Sequence, residues 1–341
     1  MFLYEDIWGK DIIKRLEDLK SKIEKKHMSI SMWGVAPIAP IHLGYDSLIL
    51  LQRELTNMGF KHTILIADLH AIMSHNLTFD DVRIRSIYYS YYLTCICGLK
   101  ANIVYGSDFQ TRPSYIEDLY GALRKITISQ IKDTIPSTRK NEPFFSYKVI
   151  YPIMQCIDVF YVNADVIIAE EGQRKIYRLL ANIKKADPLR QRPKDIVRKI
   201  DFIYIPTSHD IMGRPLKHSN SSTRISIHEN EKSLKKKIIK MYAPPSNQRV
   251  EEGKANALLE FFRYSVFPWI NEPIKVHTKN GVIKYERYSD FEKDYTSGLI
   301  RPEDAKDVLY SQLLKRISAI KNELKKGISF WINEKKVVGG D

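Results

Sequence analysis

Cysteine is scarce. The 341-residue chain has three, and Cys95, Cys97 and Cys156 all sit in segments that read as apolar helix. Three thiols so placed support neither a disulfide framework nor a four-ligand zinc site, and a reducing cytoplasm is the expected compartment. No run of about 18 apolar residues occurs, and the opening MFLYEDIWGK carries acidic residues early, with no basic run ahead of an apolar core. Neither membrane spanning nor secretion is therefore expected. Internal repeats are absent, and low complexity is limited to short basic runs near 235 and 325, which leaves repeat architectures without support.

What is present is ample core material and basic charge. At 44% hydrophobic, the chain can fill two domains, or one large and one small. Lys and Arg total 54 against 40 Asp and Glu, a formal net charge of +14. Such an excess favours a polyanionic partner through phosphate contacts and counterion release; a merely solvated basic surface gives the same balance.

Apolar periodicity sets the element pattern. Residues 11–26 space Ile12, Ile13, Leu16, Leu19 and Ile23 as an amphipathic helix. A short strand at 30–35 passes through a Pro-punctuated turn into a helix beginning near His42. KHTILIADLHA, residues 61–71, has the continuous apolar centre of a strand buried on both faces. Helix 80–98, strand 101–105, a helical stretch 114–133, helix 147–162 and the strands in ADVIIAE and DFIYIP continue the alternation. The pattern predicts an α/β fold, a doubly wound parallel sheet whose ligands sit at the carboxyl ends of its strands. Residues 207–229, with Gly213, Pro215 and a Ser/Thr cluster, read as a loop. Beyond about 252, helices surround the hairpin-like KVHTKNGVIKYERY and end in an amphipathic helix from Pro302 to Leu324, which predicts a mainly helical C-terminal domain.

The string APIAPIHLGY at 36–45 is the most informative. A His and a Gly two apart at a helix start let backbone N–H groups and an imidazole approach a triphosphate. HLGY is followed in order by LIADLHA, YGSDFQ, YPIMQCIDVFY, QRK, a Ser-rich loop and KKKIIKMYAPP. This succession, over roughly residues 30–325, resembles the tyrosyl-tRNA synthetases of the archaeal and eukaryotic type, which are class I aminoacyl-tRNA synthetases. The resemblance implies an N-terminal helix (1–28), a Rossmann-like catalytic domain with inserted helices (29–229), and a C-terminal part (230–341) holding the helix after the KMSKS loop and a helical anticodon-binding domain.

It also implies roles. Tyr151, Gln155 and Asp158, spaced four and three apart, project from one helix face. With Gln173, Tyr151 and Gln155 would hold the substrate ammonium group, while Asp158 would accept a hydrogen bond from the tyrosine phenol. The alternative reading of that helix is a core element with satisfied polar groups. His42, Gly44 and Tyr45 match the HIGH signature with Tyr45 in place of its second His. LKHSNSS at 216–222 aligns with the KMSKS element, keeping Lys217, Ser219 and Ser221 but carrying His218 and Asn220. The first signature would stabilise charge at the α-phosphate, and the second would close on pyrophosphate with Lys217 as cation.

Inside the implied pocket, the first strand's Met32 and Gly34 line the substrate site. Met32 replaces a tyrosine and cannot supply its hydrogen bond; Ala169 and Glu170 stand where the family has two glycines. Arg174 and Lys175 resemble residues that meet the tRNA acceptor end, and Arg301 and Asp304 those that read the anticodon, Asp304 being equally suited to favour a helix N-terminus. The implied activity is ATP- and Mg²⁺-dependent formation of tyrosyl-adenylate and its transfer to tRNA by a homodimer, for which the Tyr-rich helix 82–97 offers either an interface or a buried core. The altered positions leave two alternatives, a paralogue that binds tRNA without adenylation and a ligase retuned to another amino acid.

Overall fold

A computed structural model describes residues 6–24, 30–135, 143–184, 200–216, 221–244, 251–279 and 281–328. The chain divides into two compact units, Leu19–Ile38 with Gln52–Pro206, and Met1–Asp18 with Ala39–Leu51 and Thr207–Asp341.

The first unit is built on five strands, β1 (Ile30–Val35), β2 (Lys61–Ile66), β3 (Ala101–Tyr105), β4 (Val166–Glu170) and β5 (Asp201–Ile205). They pair in the order β3-β2-β1-β4-β5, all parallel. The chain winds outward from β1 to β3, then crosses to β4 on the other side of β1. That reversal opens a crevice at the carboxyl ends of β1 and β4, where such sheets bind ligands. Helices cover the sheet, so β2 and β4 are buried almost throughout, as their unbroken Ile/Val/Leu runs require. Where His62 enters this interior it is paired on both ring nitrogens, with Ser31 Oγ at 2.8 Å and Gln52 Oε1 at 2.6 Å. Burial holds its pKa down at about 3, so it is neutral.

Two elements are shorter than the sequence pattern suggests. The apolar run at 61–71 leaves the strand at Ile66 because Asp68 opens the helix Asp68–Ser74. Its carboxylate accepts from Leu69 N at 2.8 Å and from Ser107 N at 2.9 Å. The stretch 114–133 divides into Pro113–Leu123 and Ile128–Thr134 because Thr127 and Gln130 form a reciprocal cap that starts a new helix. In the Tyr-rich helix Phe79–Tyr91 and the turn after it, Tyr88, Tyr89 and Tyr92 are each 1% exposed and belong to the core.

The second unit contains the antiparallel hairpin of β6 (Ile274–Thr278) and β7 (Gly281–Tyr285). The helix Tyr288–Thr296 packs on β7, and the helix Pro302–Ile328 packs on β6 and on the helix Glu231–Ile239. Pro302 begins the last of these with Glu303 and Asp304 in its first turn, and Lys325 and Lys326 lie in its final turn, so its charge follows the helix dipole. Phe262, Phe267, Phe291 and Tyr295 form a continuous aromatic core. No helix among the described residues is long and apolar enough to cross a membrane.

One ion pair fixes the start of the helix Asp46–Asn57 against the long terminal helix. Asp46 is fully buried; Arg316 Nη1 and Nη2 donate to its two oxygens at 2.6 and 2.8 Å. Nη1 also reaches Ser265 O at 2.9 Å, and the guanidinium lies 3.9 Å over the Trp269 ring. Breaking such a pair from one side leaves a buried charge uncompensated. Asp46→Asn and Arg316→Met should each lower stability by about 3–5 kcal/mol, read from urea unfolding midpoints. The double variant should lose less than the sum.

Candidate functional site

In the second unit, the HLGY segment is held by backbone pairing with a segment some 185 residues later. Leu43 N donates to Ile225 O at 2.9 Å and Ile227 N to Ile41 O at 3.1 Å, which sets His42 opposite Ser226. His42 is extended, and Leu43–Tyr45 makes a single tight turn into the helix at Asp46. Gly44 is closely approached by two side chains. A Cβ there would lie 2.1 Å from Leu216 Cδ1 and 2.9 Å from His42 Nδ1, and Ser208 Oγ donates to the Gly44 carbonyl at 3.0 Å. Tyr45 stacks its ring on the His42 imidazole, with centroids 4.5 Å apart and planes 13° apart.

A cavity of about 190 Å³ opens beside this turn, walled by Pro40, His42, Ser221, Arg224, Ser226, His228, Glu229 and Asn230. Burial, with the positive charge of Arg224 adding to it, presses the His42 pKa down to about 3. The imidazole is therefore neutral at physiological pH, and its buried Nδ1 has no hydrogen-bond partner among the described residues. Of the loop residues singled out by sequence, Ser221 is on the cavity wall; Lys217 and Ser219 lie outside the described residues.

In the first unit, the helix Tyr147–Tyr161 carries Tyr151, Gln155 and Asp158 on one face. Asp158 is 1% exposed. Its Oδ1 accepts from Gln110 Nε2 at 2.8 Å and Tyr115 OH at 2.7 Å, while Oδ2 has His70 Nε2 3.9 Å away. Burial raises the Asp158 pKa to about 7; the two hydrogen bonds oppose the rise and the charge of Asp68 adds to it. His70, held down at about 4 chiefly by burial, is neutral and meets the Tyr151 ring edge-on at 4.5 Å. Gln155 Nε2 donates to Gln173 Oε1 at 3.2 Å, joining the helix to the turn after β4. Met32 is 2% exposed and packs in one apolar cluster with Leu65, Phe109, Tyr115 and Met154. Gly34 has room: the nearest atom to a Cβ there is Met32 Cε at 3.9 Å.

His70, Gln110 and Tyr115 are members of this constellation that motif reading passed over. The usable signal was position. His70 follows the carboxyl end of β2, and Gln110 and Tyr115 follow that of β3, which is where a parallel sheet delivers its ligand-binding side chains.

Arg174 and Lys175 are both exposed. Arg174 is held in a fork by Glu171, with Nε–Oε1 at 2.5 Å and Nη2–Oε2 at 2.7 Å, and lies 4.1 Å over the Tyr204 ring. The Glu171 carboxylate is thus turned to Arg174; Ala169 is buried at the end of β4 and Glu170 half-buried. In the second unit, Arg301 grips Asp304 the same way, at 2.8 and 2.6 Å, and keeps its carboxyl below the usual range. Asp304 stands in the first turn of its helix.

The sequence profile of the tRNA synthetases class I (W and Y) matches residues 24–318. The tyrosine–tRNA ligase of Methanopyrus kandleri is 26% identical over 306 residues, 85% of this chain and 87% of its own. That of Methanocaldococcus jannaschii is 28% identical over 311 residues, 90% and 94% of the two chains. Among solved structures, the tyrosyl-tRNA synthetase from Archaeoglobus fulgidus complexed with L-tyrosine superposes with a TM-score of 0.74 at 24% identity, covering 94% of this chain and 95% of that one.

The Asp158 environment has a measurable consequence. The folded carboxyl keeps its proton up to about pH 7, whereas the ordinary value is 3.8. The folded chain therefore binds the extra proton between those values, and stability falls as pH rises through that window, by at most about 1.4 kcal/mol per pH unit. Asp158→Asn should flatten this part of the stability profile, measured by denaturant unfolding of the ligand-free protein from pH 4.5 to 7.5.

Proposed function

This chain belongs to the class I tRNA synthetases of the tryptophan and tyrosine family, and from that premise we propose that it is a tyrosine–tRNA ligase. The observation that carries the choice of amino acid is Asp158, a buried carboxylate whose Oδ1 is already engaged by Gln110 and Tyr115 and whose Oδ2 remains to accept. A phenol satisfies that acceptor, and phenylalanine leaves it unpaired. Such a site rejects the analogue lacking the hydroxyl by about 10⁴–10⁵. Met154, Phe109 and Met32 supply the apolar surroundings of an aromatic ring. Tyr151, Gln155 and Gln173 are the groups for the ammonium, with Gln155 and Gln173 already in register with each other. The ligases of Methanopyrus kandleri and Methanocaldococcus jannaschii, both named for tyrosine, support the same reading.

The second unit supplies the nucleotide side. His42, Gly44 and Ser221 sit at the cavity and turn that suit a triphosphate, Tyr45 fixes the imidazole plane by stacking, and Lys217 and Ser219 belong to the same loop in sequence. The tyrosine carboxylate attacks the α-phosphorus of ATP, the bond to the bridging oxygen breaks, and pyrophosphate leaves with the electron pair. A terminal ribose hydroxyl of tRNA then displaces AMP. Mg²⁺ would enter with the phosphates of ATP. Exposed Arg174 and Lys175 would contact tRNA phosphates, and at the head of the last helix Arg301 would contact phosphate or stack on a base while Asp304 accepts from a guanine edge. The working form proposed is a cytoplasmic homodimer.

Amino-acid-dependent ATP–pyrophosphate exchange tests the assignment. Tyrosine should support exchange and phenylalanine should be at least about 10⁴-fold poorer in kcat/KM. Asp158→Ala should remove the preference for tyrosine, and Tyr45→His should raise the rate. Exchange with a different amino acid would mean a retuned pocket; none with any of the twenty would mean a chain that keeps the fold without adenylation.

A further inference from the structure

The cavity beside His42 contains a cation that neither signature motif includes. Arg224 comes three residues after Ser221, beyond the loop that aligns with KMSKS, and its side chain forms part of the cavity wall with His42 and Ser226. The segment carrying it is braced from behind. Lys237 Nζ donates to Ser221 O and to Arg224 O, each at 2.6 Å, and pairs with Glu229. Lys321 Nζ in turn holds Glu229 O at 2.6 Å. The Lys237 and Glu229 side chains are only 11% and 8% exposed, so the brace is internal and largely neutralises the acid on this wall. Just beyond Arg224, the backbone is locked to Ile41 and Leu43. Arg224 is thus presented on a fixed backbone at both ends.

The chemistry of the wall selects an anion. His42 is neutral, Ser221 offers a hydroxyl, the Ser226 hydroxyl is already donated to Ile41 O, the Glu229 carboxylate on the wall is paired with Lys237, and Arg224 brings positive charge on a planar guanidinium that matches phosphate oxygens. Against the signatures that the sequence resembles, Tyr45 stands in place of a second His and stacks on His42, and His218 and Asn220 interrupt the loop sequence.

We propose that Arg224 binds the triphosphate of the nucleotide substrate, supplying a charge-stabilising contact from outside the signature motifs. The assignment rests on the ligase reading for the identity of the nucleotide, while the polyphosphate contact stands independently. Arg224 exchanges no proton and forms no bond; its donors stabilise the charge that moves onto pyrophosphate as the α–β bridging bond breaks. Removing one donor of this kind slows an enzyme by about 10²–10³-fold.

The test uses inorganic tripolyphosphate as the probe, titrated calorimetrically into the full chain, with tyrosine titrated separately as a control for folding. Arg224→Gln should weaken tripolyphosphate at least about tenfold and lower the exchange rate by about 10²–10³-fold, with tyrosine affinity unchanged. Arg224→Lys, which keeps charge but not the fork, should fall between. Unaltered tripolyphosphate affinity and unaltered exchange in Arg224→Gln would overturn the proposal, as would a wild-type chain that does not bind tripolyphosphate. If Arg224→Gln also lost tyrosine binding, the Lys variant decides: tripolyphosphate affinity equal to wild type would reduce Arg224 to a structural charge. A wild-type chain that binds tripolyphosphate through Arg224 yet activates no amino acid would refute the ligase reading alone.

Discussion

Two backbone hydrogen bonds, Leu43 to Ile225 and Ile227 to Ile41, organise the turn and cavity around His42. Side chains can reorient on an exposed turn, but paired main chain fixes register, and a slip of one residue would move Ser226 off His42 and turn Arg224 away from the cavity. The rest of the second unit protects that pairing. Asp46 and Arg316 tie the start of the helix that follows HLGY to the long terminal helix, and Lys237 with Glu229 steadies the other partner. Both are buried charge pairs that are costly to break from one side. The fold thus places its most expensive electrostatics where two distant stretches of chain must keep a fixed relation.

The surroundings of Asp158 obey a different constraint. Asp158 is held as an acceptor at the expense of desolvation, which is why its pKa climbs to about 7 even with two donors on one oxygen. A carboxyl in that range sits between protonated and ionised near neutrality, and a ligand hydroxyl arriving at Oδ2 favours the ionised form. His70 cannot provide the compensation, since burial keeps it neutral. Met32, buried in the neighbouring apolar cluster, adds thioether contact without competing for the acceptor.

Much of the fold was legible in the sequence because strands buried on both faces and amphipathic helices leave opposite periodicities. β1, β3, the helix at 147–161 and the hairpin at 274–285 could be read directly. The places where reading overran have local causes: Asp68 ends β2 by opening a helix, and the Thr127–Gln130 cap cuts one predicted helix into two. Side chains whose importance comes from tertiary approach were not legible. Nothing in YGSDFQ marks Gln110 as a partner of Asp158, nor does RISIHE mark Arg224 as a cavity wall; both depend on segments brought together by sheet and backbone pairing. Conversely, Arg174 with Glu171 and Arg301 with Asp304 are three apart in sequence, and their forks follow from helical spacing.

The approach of Leu216 to Gly44 makes two stretches of sequence sterically answerable to each other. Leu216 is tied by its own N–H to Ser208 O at 2.8 Å, and its methyl occupies the space that a side chain at 44 would need. A residue larger than glycine at 44 fits only if the Leu216 side chain swings aside, so a shorter residue at 216 gives position 44 latitude.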